Sequence, residues 1–324
     1  MGFLMPTRTL VWTFLRRALA LREPMREARG FAAGGRDGSP ATRLVKGKAP
    51  PRSRMDGRSL QVGNLFSVDG KRVAITGGAR GIGLMLTVAF VENGATVYIS
   101  SRDAKACEVV AASLTARGPG SCVAIPEDLA TDAGCRRFAA RLGEALGSAG
   151  LDVLINNSGV AWGEDFETFS EKGWKHVMAV NVEAVFNCTR ACLPLLEQSQ
   201  RSPARVINVG SIAGLRPQAV PTWSYDVSKA AVHHLTVKMA GLLVRRPGGK
   251  LITVNALAPG YVPSKMSKQL DRYEEMKGMD EQIPLKRMGN ASDMAGAAIY
   301  LASEAGAWVT GIVLPVDGGF MCKL

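Results

Sequence analysis

Tyr225 and Lys229 stand four residues apart, a spacing that puts them on one face of a helix, one turn from each other. A phenol in water has a pKa of about 10, so it exchanges a proton near neutral pH only where its surroundings favour the phenolate. A neighbouring ammonium does that, and a tyrosine so placed is a candidate general acid or base. Tyr-x-x-x-Lys by itself is more often a surface pair. Here it gains weight from position: Ser211 lies shortly before it after an apolar run, and a nucleotide-type glycine motif lies further upstream.

Positioning these groups requires a scaffold, and the residue pattern supplies one. From Arg72 onward, short β-branched runs alternate with segments of helical period. Strands are expected at Arg72–Thr76, Thr96–Ser100, Cys122–Pro126, Val153–Asn156, Arg205–Val209, Leu251–Ala258 and Val313–Val316. Seven strands with helices between them predict a single α/β domain, a Rossmann-type doubly wound parallel sheet flanked by helices. In such a sheet a ligand sits beyond the carboxyl ends of the strands, where the strand order reverses.

Thr76-Gly77-Gly78-Ala79-Arg80-Gly81-Ile82-Gly83 follows the first strand directly and opens a helix expected to be amphipathic and to run to Asn93. Glycines there allow a tight turn and close approach of the backbone to a pyrophosphate, whose charge a helix N-terminus favours. A glycine-rich turn without a ligand is the bland alternative, but the strand before and helix after meet the context that the motif needs. After the second strand, an acidic residue would bind the ribose 2′-hydroxyl of NAD, and an arginine the 2′-phosphate of NADP. The chain reads Ser101-Arg102-Asp103, with Ser101 at the acidic position, 18 residues after Gly83. A guanidinium matches phosphate geometry, and Arg80 offers a second cation, so NADP (NADPH) is the expected cofactor, with Asp103 keeping NAD as the lesser choice. Asp128-Leu129 after the third strand are candidates to hold the adenine. Asn156-Asn157-Ser158-Gly159 after the fourth form a turn able to approach the cofactor closely.

These motifs, in this order, resemble the short-chain dehydrogenase/reductase family over Arg72 to Phe320. The shared pattern reads Gly77/Gly81/Gly83, Asn156–Gly159, Asn181, Ser211, Tyr225/Lys229 and Pro259-Gly260-Tyr261-Val262-Pro263-Ser264. Departures are small: Ser158 stands for the commoner Ala, and Ser211 precedes Tyr225 by 14 positions, slightly more than usual. The resemblance implies that Tyr225 protonates a carbonyl oxygen as hydride arrives from the nicotinamide, and that Ser211 holds that oxygen. It implies further that Lys229 binds the nicotinamide ribose and lowers the tyrosine pKa, and that Asn181 positions a water relaying protons to Lys229. Pro259, Gly260, Val262 and Ser264 fall at the nicotinamide end, with Val262 and Ser264 touching its amide. A ketone, with a 3-oxoacyl thioester foremost, is the implied substrate, and a homotetramer built through the long helices around Asn181 and Lys229 and the C-terminal strand is the implied assembly. Oxidation of a sugar or other secondary alcohol by the same residues is the second enzyme reading. A cofactor-sensing binding protein without turnover is the third, and the intact Ser211, Tyr225 and Lys229 argue against it.

Composition narrows the rest. Of the net charge of +12, residues 1–60 supply nine, with 13 Lys/Arg against 4 Asp/Glu. The basic excess therefore belongs to an N-terminal extension, residues 1–58, and the reductase domain is expected over 59–324. No basic stripe with aromatic or groove-reading elements follows Leu60, which speaks against nucleic acid. The first 22 residues lack acidic groups and mix Arg with apolar side chains. That suits a mitochondrial presequence, a disordered tail or a start placed upstream of Met55, so the expected location is cytoplasmic or mitochondrial. No stretch reaches the ~18 apolar residues of a membrane span. The six cysteines form neither metal-ligand spacing nor a disulfide framework. His176, His233 and His234 are read as packing or surface groups, with no metal site and no histidine-based triad around Ser211. The segment from 267 to 286, with Met266, Met276 and Met279, reads as a mobile lid over the substrate or an ordinary surface helix.

Overall fold

Seven strands form along the chain: β1 (Arg72–Thr76), β2 (Thr96–Ser100), β3 (Ser121–Ala124), β4 (Val153–Asn156), β5 (Ala204–Val209), β6 (Ile252–Pro259) and β7 (Val313–Val316). They pair in parallel, in the order β3-β2-β1-β4-β5-β6-β7. The order reverses between β1 and β4, so the chain leaves these neighbouring strands toward opposite halves of the sheet and opens a crevice there. The structure, a computed structural model, describes residues 59–270, 273 and 278–322. The basic extension over residues 1–58, and with it the choice among presequence, tail and misplaced start, lies outside the described residues.

Helices cover both faces. On one side lie α1 (Gly81–Glu92), α2 (Ala104–Arg117) and, late in the chain, α8 (Ala291–Ala302). On the other lie α3 (Asp132–Leu146), α5 (Ala184–Glu197) and α6 (Trp223–Leu243). Alternation along the strands feeds both layers: Val73 and Ile75 of β1 join the α1/α2/α8 core, whereas Ala74 joins the α3/α5/α6 core. Two short helices, α4 (Glu171–Met178) and α7 (Lys265–Leu270), complete the set used below. No helix among the described residues is long and apolar enough to cross a membrane, and no cluster of metal-ligating side chains occurs among them.

Three strands differ at their ends from the sequence reading. β3 begins one residue earlier, at Ser121, and ends at Ala124 and not at Pro126, because proline has no N–H for the ladder. β5 begins one residue earlier, at Ala204, and β6 runs one residue later, since Leu251 pairs with Arg245 in an antiparallel bridge. α1 is not amphipathic. Its apolar residues run all round because it is packed against the sheet and also covered by α8, where Leu86, Phe90 and Met294 are fully buried together.

Polar ties fix the strands to the helices that matter for the site. Asn156 Nδ2 donates to Asn208 Oδ1 and Thr189 Oγ1, each at 2.9 Å, and Asn208 Nδ2 donates to Thr236 Oγ1 at 2.9 Å. These buried bonds link β4 and β5 to α5 and α6. At the other end of the sheet, Asp152 is 1 % exposed and accepts from the Arg72 amide at 2.8 Å, the Arg72 guanidinium at 3.1 and 3.2 Å, and Ser199 Oγ at 2.6 Å. Removing one partner of a buried charge pair strands the other, at a cost of about 3 kcal/mol or more. Asp152→Ala is therefore expected to lower the unfolding free energy by about that amount with the cleft end intact, read as a fall in the urea midpoint by circular dichroism; an unchanged midpoint would refute this account of the anchor.

Candidate active site

A cleft of about 450 Å³ opens at the carboxyl ends of the strands, over the reversal between β1 and β4. Gly77, Arg80, Gly81, Ile82 and Gly83 form its floor. Gly77 has φ +67°, a left-handed conformation open to glycine, and leads the chain away from β1. Gly83 is needed for space: a Cβ there would lie 2.1 Å from the Gly77 carbonyl oxygen and 2.4 Å from Asn157 Nδ2. Asp103, Thr131, Ser170 and Asn290 cap α2, α3, α4 and α8 with their side chains, but Arg80 does not cap α1. The first amides of α1 are thus left to an anion in the cleft.

Ser101, Arg102, Asp128 and Leu129 line the same end of the cleft. Asp103 does not line it, because its carboxylate accepts from the Ala106 amide at 3.0 Å as the cap of α2. The residue that kept NAD in play is therefore engaged elsewhere, while Arg102 borders the cleft. Glu127, which the motif reading passed over, lies beside Asp128. Arg137 binds its carboxylate at 2.8 and 3.0 Å and holds it below the usual range. Only the fold brings Arg137 back to β3, so spacing carries no sign of the pair.

Asn157, Ser158 and Gly159 border the middle of the cleft. Asn157 Nδ2 donates to the carbonyls of Thr76 and Gly77 at 2.9 and 3.2 Å, while the amides of Asn157 and Ser158 donate to Thr76 Oγ1 at 2.9 and 3.0 Å. Asn156, the first residue of that motif, points away into the polar ties beneath the sheet. Pro259, Gly260, Val262 and Ser264 form the wall past β6, and Ser264 caps α7 by accepting from the Ser267 amide at 3.0 Å.

At the remaining end, Ser211, Tyr225 and Lys229 meet. α6 begins at Trp223, so Tyr225 and Lys229 share its cleft-facing side, and Lys229 Nζ lies 5.6 Å from the centre of the Tyr225 ring. Nζ donates to the Val209 carbonyl at 2.8 Å. Burial lowers the Lys229 pKa to about 8. Burial also raises the Tyr225 pKa above its ordinary value; the Ser211 hydrogen bond pulls it down, and the Asp226 charge pushes it up. In the protein alone, then, desolvation outweighs the help that the Tyr-x-x-x-Lys spacing promised, because the ammonium lies over the ring and is bonded to a carbonyl.

Asn181 sits behind this group in a π-helical turn, Ala179–Glu183, between α4 and α5. Its Oδ1 accepts from the Val160 amide, and its Nδ2 donates to the Val160 carbonyl and Ser228 Oγ, all at 2.9 Å. The side chain therefore anchors the turn after β4 and does not stand free. A Cβ on Gly159 would lie 3.5 Å from Lys229 Nζ and 3.6 Å from Asn181 Oδ1, so the bare glycine leaves space between them.

Other lining residues escaped the sequence reading. Gln218 and Thr222 reach the cleft from the loop between Ser211 and α6, held by Asp226, which accepts from the Gln218 amide at 2.9 Å and from Thr222 Oγ1 at 3.1 Å. The longer Ser-to-Tyr interval was the available signal. Met266, named with the 267–286 segment, lines the cleft, and Met279 is buried with Val220 and Ile283. Met276 lies outside the described residues.

Comparison with known proteins follows the same outline. The family model described as enoyl-(acyl carrier protein) reductase matches residues 77–321. The rhamnolipids biosynthesis 3-oxoacyl-[acyl-carrier-protein] reductase of Pseudomonas aeruginosa is 45% identical over 258 residues, covering 79% of this chain and 98% of that protein. Galactitol 2-dehydrogenase (L-tagatose-forming) of Cereibacter sphaeroides is 37% identical, covering 79% and 97%. Among solved structures, the Pseudomonas aeruginosa RhlG/NADP active-site complex superposes with a TM-score of 0.73 at 44% identity, covering 79% of this chain and 98% of that one.

The crowding at Gly83 gives a direct check of the glycine loop. Gly83→Ala is expected to keep the fold but weaken dinucleotide binding ~100-fold, or about 3 kcal/mol. Fluorescence titration alongside circular dichroism would show it, and unaltered binding would mean that the loop does not cradle the cofactor.

Proposed function

This chain belongs to the short-chain dehydrogenase/reductase family, and we propose that it uses NADPH to reduce a ketone, foremost a 3-oxoacyl thioester, to the secondary alcohol. The observation that carries the reading is the convergence of Ser211, Tyr225 and Lys229 on one end of a cleft whose other end holds Arg102 and an uncapped α1. The residues fit the cofactor: the α1 amides suit the pyrophosphate, and Gly83 leaves the space that a Cβ would fill. Arg102 with Arg80 suits the 2′-phosphate, and Asp128 with Leu129 borders the adenine position. Ile82, Ser101, Asn157, Ser158 and Gly159 complete the binding wall, with Pro259, Gly260, Val262 and Ser264 at the nicotinamide end.

When bound, the nicotinamide supplies the hydride. Ser211 holds the carbonyl oxygen by a hydrogen bond, and Tyr225 gives that oxygen its proton, so that ketone, NADPH and a proton become alcohol and NADP. The raised pKa of Tyr225 suits this direction, because the phenol stays protonated at neutral pH until the oxygen becomes basic. Lys229 holds the ribose and keeps a positive charge near the phenol. Asn181 and Lys229 flank the space at Gly159, where a water would return the proton to Tyr225.

The likeness to a 3-oxoacyl reductase and the apolar wall of Val160, Ala161, Ile212 and Met266 support the acyl substrate. The likeness to galactitol 2-dehydrogenase supports a second reading, oxidation of a sugar alcohol by the same groups. We assign catalysis to a domain over residues 59–324 acting as a homotetramer. Exposed Phe186 and Val237 on α5 and α6 and Trp308 before β7 are suited to the subunit contacts.

With acetoacetyl-coenzyme A as the probe, Tyr225→Phe is expected to lower turnover ~1000-fold while NADPH still binds. Retained turnover would reject the assigned proton donor, and turnover of galactitol with no reduction of the thioester would replace the substrate reading. Arg102→Ala should weaken NADPH by roughly 10- to 100-fold and leave NADH unchanged, the range of a charged hydrogen bond. An equal loss for both cofactors would remove the 2′-phosphate assignment. Because Lys229 loses its charge as pH rises through about 8, kcat/KM for reduction is expected to be level near neutrality and to fall above that point. A rate that rises across the same range would contradict it.

A further inference from the structure

Of the three histidines, His233 alone is buried, and it lies under the active-site loop. Tyr225, Lys229 and His233 are spaced by four on α6, so they form one stripe along the helix beneath the end of β5. The Lys229 ammonium binds the Val209 carbonyl, and one turn later the His233 ring meets the next residues of the same strand end. Its Nε2 accepts from the Ser211 amide at 3.4 Å. The loop is shaped to that ring. A Cβ on Gly210 would lie 2.2 Å from Nε2, and a Cβ on Gly214 would lie 2.8 Å from Cε1. The two glycines that bracket Ser211, Ile212 and Ala213 are thus the places where the loop touches the imidazole; at Gly210 the ring itself takes the space of a side chain, while at Gly214 the α6 backbone at Lys229 and Ala230, 2.5 and 2.6 Å from a Cβ, shares in excluding one. Ser211 then passes the placement on: its Oγ accepts from the Ala213 amide at 3.1 Å, and its hydroxyl is the group that draws the Tyr225 pKa down against burial.

We propose that His233 is a positioning residue: wedged against Gly210 and Gly214, its neutral ring accepts the Ser211 amide proton and fixes where Ser211 meets Tyr225 and the substrate carbonyl. The inference rests on reading Ser211 and Tyr225 as the groups that engage the carbonyl oxygen. Neutrality is required, since a protonated Nε2 is a donor and cannot accept from an amide. The surroundings provide it: burial first, then the Lys229 charge, bring the His233 pKa down to about 4, against the opposing pull of the Gly214 backbone. A residue that only filled space would need no acceptor at this point. An acceptor there matters because the Ser211 amide would otherwise be buried without a partner while it positions a reacting group.

Two variants separate these roles. His233→Leu keeps an apolar filling and removes the acceptor, whereas His233→Gln can return a carbonyl oxygen near the place of Nε2. With acetoacetyl-coenzyme A and NADPH, His233→Leu is expected to lower kcat ~10-fold or more, with KM for NADPH within about twofold, and His233→Gln to recover most of the loss. In a Ser211→Ala background, His233→Leu should add no further loss, because the histidine acts through the serine. Equal losses with and without Ser211, or a full kcat in His233→Leu, would overturn the proposal. An ultraviolet titration of tyrosinate, taken as the difference from Tyr225→Phe, needs no substrate and should show the Tyr225 pKa rising in His233→Leu. That measurement decides the inference even if the thioester is not turned over, and an unmoved tyrosine pKa would sink it. Should His233→Leu fail to fold, the same titration on His233→Gln, with a Tyr225 pKa matching the wild type, upholds the role, and an upward shift refutes it.

Discussion

The ends of β1 and β4 are stitched together where the sheet changes direction, and the site is built on that seam. Thr76 Oγ1 accepts two successive amides from the turn after β4, and Asn157 returns its Nδ2 to the carbonyls of Thr76 and Gly77. Two loops that diverge to opposite faces of the sheet are thereby held side by side. The glycine loop keeps its tight path because Asn157 occupies the space that a side chain at Gly77 or Gly83 would take. On the other side, the turn continues into Gly159 and Val160, which Asn181 fixes by a reciprocal pair of hydrogen bonds. One seam thus sets the position of the cofactor floor and of the space beside Lys229.

A second constraint comes from burial of ionisable groups. Lys229, Tyr225 and His233 lie on one helix face in a poorly solvated layer, and each responds as desolvation requires: the amine and the imidazole are lowered and the phenol is raised. Near physiological pH the phenol and the imidazole are therefore neutral, while Lys229, lowered to about 8, still carries most of its charge. Such a face keeps a protonated phenol beside one cation, which suits transfer of its proton to a substrate oxygen as that oxygen becomes basic. Asp226 acts on Tyr225 in the same direction as burial. It raises the tyrosine further, and the fold accepts this because the same carboxylate ties down the loop that carries Gln218 and Thr222.

The strands, their parallel order and most of the cleft were legible in the residues. β-Branched runs separated by helical segments admit few arrangements, and Gly77, Gly81, Gly83, Ser101, Arg102, Asp128, Asn157, Ser211, Tyr225 and Lys229 all border the cleft at the strand ends. Where the reading and the structure part, the reasons are local. Proline ended β3 early, and the covering by α8 left α1 without a polar face. Asp103 serves on the surface as the cap of α2. Each depends on what lies next to the residue in space, which a run of residue types does not state.

The sequence by itself determined which residue types reach the strand ends, because period and turn chemistry are properties of short stretches of chain. It also carried the choice of Arg102 at the end of β2, since that choice is a single side chain at a fixed offset from the glycines. Only the tertiary structure decided what those residues face. It placed Arg137 against Glu127, the Lys229 ammonium over the tyrosine ring and against a carbonyl, and an imidazole read as packing beneath the Ser211 amide. The reason is that hydrogen-bond partners and desolvation depend on distances of a few ångströms between residues far apart in the chain. Those distances exist only once the sheet has brought its strand ends together.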